Sequence, residues 1–181
     1  LRVVRPTQYV HVFYGFGDAS GKQFGSTLSA KYNCKSKLSA GSTLKEGVRF
    51  CVGLWSAEEE AESSNYKELQ NLVNSIGAEA KAGRLQNCEL FMFTDNSTAE
   101  SCFYRGTSKS RHLHRLVLEL RMMEMDFGLT IHVIHISGKR MKATGVDGLS
   151  RGDLTEGVLA GADPFSFLPF NLGADERSKG A

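Results

Sequence analysis

The run Leu90-Phe91-Met92-Phe93-Thr94 constrains this chain more tightly than any other stretch. Its apolar side chains occupy consecutive positions, so a strand built from it is apolar on both faces, as a strand covered by helices on both sides must be. The flanking segments supply such helices. Upstream, Tyr66, Leu69, Val73, Ile76 and Ala80 recur at spacings of three and four, which predicts an amphipathic helix over residues 65–82 with Gly83 as its stop. Downstream, Asp95-Asn96-Ser97 opens a short helix through Phe103. A longer helix follows, with Leu113, Leu116, Leu120, Met123 and Phe127 on one face.

Three strands precede this unit, over residues 10–16, 24–32 and 48–55. They are separated by the turn signals Gly17-Asp18 and Ser20-Gly21-Lys22 and by the Gly/Ser/Lys stretch around Gly41, and they read as an antiparallel meander. A last strand spans 129–136, and a helical turn lies near Gly148. The order β-β-β-α-β-α-α-β predicts an α/β fold on a mixed five-stranded sheet, three antiparallel strands followed by parallel ones, with helices on both faces. A length of 181 residues suits one domain with a sizeable core. That domain is expected over residues 1–152. Residues 153–181, with Phe165, Phe167, Leu168 and Phe170, are expected to form a tail, partly disordered or packed back on the domain.

Apolar residues make up 41% of the chain and charged residues 23%, the balance of an ordinary globular protein. A net charge of +2 does not by itself nominate a nucleic-acid partner, although clustered carboxylates would mask basic surface elsewhere. Cys34, Cys51, Cys88 and Cys102 fall singly, without the spacing of a zinc site, and read as reduced thiols of an intracellular protein. No segment has the uninterrupted apolar length that spans a bilayer, and no membrane partner is expected. The N-terminus lacks a signal-peptide pattern, and a start on Leu1 reads as a fragment whose upstream part has been removed.

Asp18 and Asp95 each follow an apolar strand, Glu68 sits early in the amphipathic helix, and Asp147 lies in the terminal helical turn. Ends of adjacent strands converge, so Asp18 and Asp95 are candidates for neighbours. Two carboxylates about 4 Å apart repel by roughly 4 kcal/mol at an effective dielectric near 20. A cluster of such groups therefore needs protons or hard cations, and two divalent ions are suited to clamping a phosphodiester. Each acid alone has a bland explanation. An Asp after a strand commonly serves a turn or cap, and Asn65-x-x-Glu68 has the form of a capping box.

Taken together, these segments resemble the ribonuclease H family, in particular the retroelement domains fused behind reverse transcriptase. Tyr14-Gly15-Phe16-Gly17-Asp18-Ala19-Ser20 resembles the first catalytic strand, and Lys67-Glu68-Leu69-Gln70 the helix with the catalytic glutamate. Phe93-Thr94-Asp95-Asn96-Ser97 resembles the second aspartate motif, and Val146-Asp147-Gly148-Leu149-Ser150-Arg151 the closing aspartate segment in its gypsy-like or DIRS-like form. The resemblance covers roughly residues 10–152. It implies a ribonuclease H-like fold and hydrolysis of the RNA strand of RNA–DNA hybrids with two Mg²⁺ ions, for which Mn²⁺ substitutes. It also implies that Asp18 bridges the ions, that Asp147 completes the one that activates water, and that Glu68 and Asp95 hold the one at the leaving oxygen. Ser64 and Asn65 stand where the family contacts RNA 2′-hydroxyls, with Ser64 replacing an amide. Ser137 stands where cellular and retroviral relatives carry a mobile histidine, with His135 nearby; gypsy-like domains also lack that histidine, so slower turnover is implied. The implied partners are the hybrid and a polymerase domain of the parent polyprotein. The isolated domain is expected to be a monomer, located in the cytoplasm or nucleus.

Basic residues fall in two groups, Lys109 to Arg115 where the later helices join and Lys139, Arg140 and Lys142 in the loop expected before Asp147. Both are expected to meet backbone phosphates, Lys139 and Arg140 foremost. His11 and His132 read as strand residues with satisfied ring nitrogens, and Trp55 as core. Two other functions compete. A degenerate nucleic-acid-binding or spacer domain would be expected to have lost acids that are all present here. A transposase-like nuclease would use a late-helix glutamate such as Glu119 or Glu124 and leave Asp147 without a role.

Overall fold

The computed structural model describes residues 11–31 and 48–153. Along the chain run β1 (His11–Ala19), β2 (Gln23–Lys31), β3 (Val48–Leu54), α1 (Ala57–Glu60), α2 (Ser64–Lys81), β4 (Cys88–Thr94), α3 (Ser97–Arg105), α4 (Arg111–Phe127), β5 (Thr130–His135), α5 (Gly138–Ala143) and α6 (Val146–Leu149). The strands form one sheet in the order β3-β2-β1-β4-β5. β1, β2 and β3 pair antiparallel, while β1/β4 and β4/β5 are parallel. This is the mixed five-stranded arrangement expected from the order of elements.

Strand parity fixes which helix lies on which face. A Cβ on Gly17 would lie 3.1 Å from Asn71 of α2, whereas one on Gly25 would lie 2.9 Å from Leu149 and from the Ser150 backbone nitrogen. Gly17 pairs with Ser26, the neighbour of Gly25, so α2 and the α6 turn occupy opposite faces. Glycine at 25 is what allows α6 to approach so closely.

The α2 face holds the core. Leu69, Leu72, Val73 and Ile76 meet Leu90 and Met92 of β4, Ile131 and Val133 of β5, and Leu113, Leu116, Val117 and Leu120 of α4. Trp55 is buried as expected and donates its indole N–H to the Ser20 carbonyl. His132 also behaves as expected, stacked on Phe91 and bonded to Glu89.

Three local features differ from the sequence expectation. In β4 only Cys88, Leu90, Met92 and Thr94 are fully buried, and the alternate residues are half-covered. On that second face Phe93 stacks on Phe16 instead. The basic segment before Asp147 is helix α5, anchored by a fully buried Met141, rather than open loop. At α2 the N-cap is Ser63, whose side chain accepts from Tyr66 N–H, so Asn65 and Glu68 do not form a capping box. The capping box belongs to Ser56 and Glu59 at α1. The expected tail, residues 153–181, lies outside the described residues except for Asp153, as do Cys34 and the starts of the first expected strand and of the chain. Among the described residues, no helix is long and apolar enough to cross a membrane.

Candidate active site

β1 and β4 run parallel with Phe16 opposite Phe93, so Asp18 and Asp95 leave the same end of the sheet side by side. Glu68 reaches this point from the second turn of α2. One carboxylate oxygen from each of Asp18, Glu68 and Asp95 lies within 4.8 Å of the others. Asp18 and Glu68 are buried, and Asp95 opens toward solvent.

Glu68 is aimed by two donors. Its Oε1 accepts from the Ala19 amide at 3.0 Å, and its Oε2 from the Thr94 hydroxyl at 3.2 Å. Thr94 in turn accepts from the Asn96 amide, and Asn96 caps α3 and donates to Asn65. Asp18 is held from both sides. Ser150 donates to its Oδ2 at 2.6 Å, and the buried Asn71 amide donates to the carbonyls of Asp18 and Gly25. Lys67, also buried, clamps the β1–β2 turn to α1 by donating to the carbonyls of Gly21 and Glu60. Hence α2 supplies one candidate ligand, Glu68, and two side chains, Lys67 and Asn71, that brace the strand and turn around Asp18.

Burial, reinforced by the Asp18 charge, pushes the Glu68 carboxyl up to about 8. Asp18 is likewise raised, by burial above all, with the Ser150 hydrogen bond opposing it and the charges of Asp95 and Asp147 adding to it. Both groups are thus poor anions unless a positive charge joins them. The grouped donors are all carboxylate oxygens, the set that hard divalent cations favour over soft ones. The residues fit such an ion.

Asp147 stands on α6 beside this trio rather than within it. Its Oδ1 accepts from Arg151 Nη2 at 3.0 Å and Nε at 3.3 Å, while its charge bears on Asp18. Ser64 and Asn65 open α2, with Asn65 tied to Asn96 next to Asp95. Lys139 and Arg140 are exposed on α5, whose first residue, Gly138, abuts Asp95 closely enough that a Cβ there would lie 3.4 Å from its Oδ2. Glu119 and Glu124 turn elsewhere. Glu119 pairs with Arg115, and Glu124 bonds Arg121 and the Ile131 amide. His135 is exposed at the end of β5, and its backbone N–H donates to Glu100.

Sequence reasoning missed Thr94, Asn71 and Ser150 as partners of the acids. Asn71 and Ser75 carry a faint signal, polar residues four apart beside an apolar stripe, and they form a buried hydrogen-bonded pair that extends to Ser26.

No family-level sequence profile matches the chain, and no curated protein matches it by sequence. Solved structures do match. Ribonuclease H1 from the halophilic archaeon Halobacterium salinarum NRC-1 superposes with a TM-score of 0.53 at 14% identity, over 80% of this chain and 96% of that one. The N-terminal RNase H domain of a Mycobacterium tuberculosis protein gives 0.52 at 15%, over 81% and 94%. LC11-RNase H1, solved in complex with an RNA/DNA hybrid, gives 0.53 at 13%, over 77% and 92%. At these identities the likeness shows the fold: the chain has a ribonuclease H-like architecture.

Proposed function

We propose that this chain is a divalent-metal-dependent endoribonuclease that hydrolyses the RNA strand of RNA–DNA hybrids during retroelement reverse transcription. The convergence of Asp18, Glu68 and Asp95 at one end of the sheet carries this reading, because burial and mutual repulsion leave the first two poor anions until a cation joins them. The hybrid bound to LC11-RNase H1, a neighbour of the same fold, supports the substrate class. The order of the four acidic motifs supports the gypsy-like or DIRS-like assignment, with a polymerase domain as the partner in the parent polyprotein and the cytoplasm or nucleus as the place of action.

In this reading Asp18, Glu68 and Asp95, with Asp147 alongside, hold two Mg²⁺ ions, replaceable by Mn²⁺. Ions in such a site activate water and stabilise the leaving 3′ oxygen. The chain's own residues prepare for that chemistry. The Ala19 amide and Thr94 hydroxyl keep Glu68 pointed into the cluster, so little reorganisation is needed on loading. Ser64 and Asn65, the first two residues of α2, are assigned to the 2′-hydroxyls of an A-like duplex, Asn65 being tied to Asn96 next to Asp95.

The test is a substrate panel. End-labelled hybrid, RNA duplex and DNA duplex of one sequence are incubated with Mg²⁺, Mn²⁺ or EDTA. Cutting of the RNA in the hybrid alone, metal-dependent and leaving 5′-phosphates, is the expected outcome. Equal cutting of duplex DNA, or cutting in EDTA, would contradict it.

Lys139 and Arg140 are assigned to backbone phosphates. Replacing both with alanine should lower the slope of log K against log[salt] by about 1–2, as measured by hybrid binding in Ca²⁺. An unchanged slope would remove these residues from the binding surface.

A further inference from the structure

We propose that Ser150 is a positioning residue for the carboxylate site: its hydroxyl holds Asp18 in the cluster and so preorganises the site for its cations. The inference rests on the reading of Asp18, Glu68 and Asp95 as a divalent-cation site.

Ser150 is fully buried, and its Oγ lies 2.6 Å from Asp18 Oδ2, a separation typical of a hydroxyl donating to an ionised carboxylate. The two residues are 132 positions apart, so this contact is built by the fold rather than by local chain geometry. The serine is itself gripped from several directions. Its amide donates to Val146 O at 2.9 Å, its carbonyl accepts from the Ser20 hydroxyl at 2.6 Å, and its backbone lies against Gly25, where any side chain would collide. A hydroxyl so fixed is a rigid donor.

What it opposes is also visible. The Asp95 carboxylate lies within 4.8 Å of Asp18, the charge of Asp147 also bears on it, and like charges at that range push an unrestrained carboxylate toward water. The Ser150 bond holds Asp18 against that push before any cation arrives. It also couples the acids at the two ends of the domain, since α6 carries Asp147 and leads directly into the residue that holds Asp18.

The bland alternative is local. Ser150 Oγ also lies 2.8 Å from the Asp147 carbonyl, three residues back, and its single proton would then only finish the helical turn. In that case removing the hydroxyl alters stability and leaves metal binding untouched.

Ser150→Ala and the nearly isosteric Ser150→Cys separate the two. Mg²⁺ affinity is measured by calorimetry without nucleic acid, thermal unfolding is followed in EDTA, and hybrid cleavage is titrated with Mg²⁺. Mg²⁺ discriminates against the new thiol as a ligand, and a thiol is a weak donor. Both variants should bind Mg²⁺ about tenfold more weakly or worse, as for other groups that orient metal ligands. Cleavage should fall most at low Mg²⁺ and recover toward the parent rate at high Mg²⁺. Parent-like Mg²⁺ affinity in either folded variant overturns the proposal, even where the melting temperature has dropped. Should the alanine variant not fold, the cysteine variant decides between the two roles. A parent protein that binds no Mg²⁺ would instead sink the cation-site reading, and this inference with it.

Discussion

An Asp18→Asn protein should cleave the hybrid at least about 10³-fold more slowly than the parent, yet be no less stable when metal-free. Asparagine keeps the size of the side chain and an oxygen to accept from Ser150, so the packing around it survives. What it loses is the negative charge that bears on Glu68 and lies beside Asp95. Metal-assisted charge stabilisation of a phosphoryl transition state is worth several kcal/mol, and about 4 kcal/mol corresponds to 10³ in rate. Without metal the same charge is a burden, because Asp18 is buried beside Glu68 and Asp95 and its carboxyl is raised accordingly. Removing it relieves repulsion, the trade-off expected where a site is strained for function. Single-turnover cleavage and thermal unfolding in EDTA read the two effects separately. Cleavage within tenfold of the parent would mean that Asp18 is not a ligand.

The metal-free protein should lose stability as pH rises from about 4.5 toward 8. Glu68 has its ordinary value of 4.5 in the unfolded chain and is pushed to about 8 in the fold, chiefly by burial. Below 4.5 both states are protonated and the group makes no difference. Between the two values the unfolded chain releases a proton that the native state retains, so each pH unit disfavours folding by about 1.4 kcal/mol, and the loss levels off above the folded value. The whole effect is on the order of 4–5 kcal/mol at most by the same conversion, and the raised Asp18 acts in the same direction. Saturating Mg²⁺ should reverse the trend. The cation binds the ionised site of the native state alone, and a hundredfold excess over its Kd adds about 2.7 kcal/mol. Melting temperatures at a series of pH values, in EDTA and in Mg²⁺, give both curves. A flat EDTA curve, or one rising toward pH 8, would show that Glu68 is not buried as an acid.

Much of this arrangement was legible in the sequence because it depends on local pattern. The strand segments of β1 and β2, bounded by turn signals, and the stripe of Leu69, Val73, Ile76 and Ala80 in α2 follow directly from local composition and side-chain periodicity. Asp18 and Asp95 stand out as polar stops to apolar strands, and parallel pairing of β1 with β4 is what turns that pattern into proximity. Glu68 was less legible. Its residue type and place near a helix start fit a cap equally well, and only the position of Ser63 as N-cap shows that Glu68 is too far along the helix to serve as one. Thr94 and Ser150 were invisible as braces, since hydroxyls occur in every turn and their partners lie 26 and 132 residues away. Helix α5 was hidden for another reason: six residues hold too few periodic positions to separate a helix from a basic loop, and one buried residue, Met141, anchors it.

The most direct test of the cation nest is anomalous diffraction from crystals of the protein soaked in Mn²⁺. Anomalous density bonded to the carboxylates of Asp18, Glu68 and Asp95, with Asp147 completing a second site, is the predicted result. Mn²⁺ bound only elsewhere on the molecule, with those three side chains hydrogen-bonded to one another through shared protons, would contradict the account.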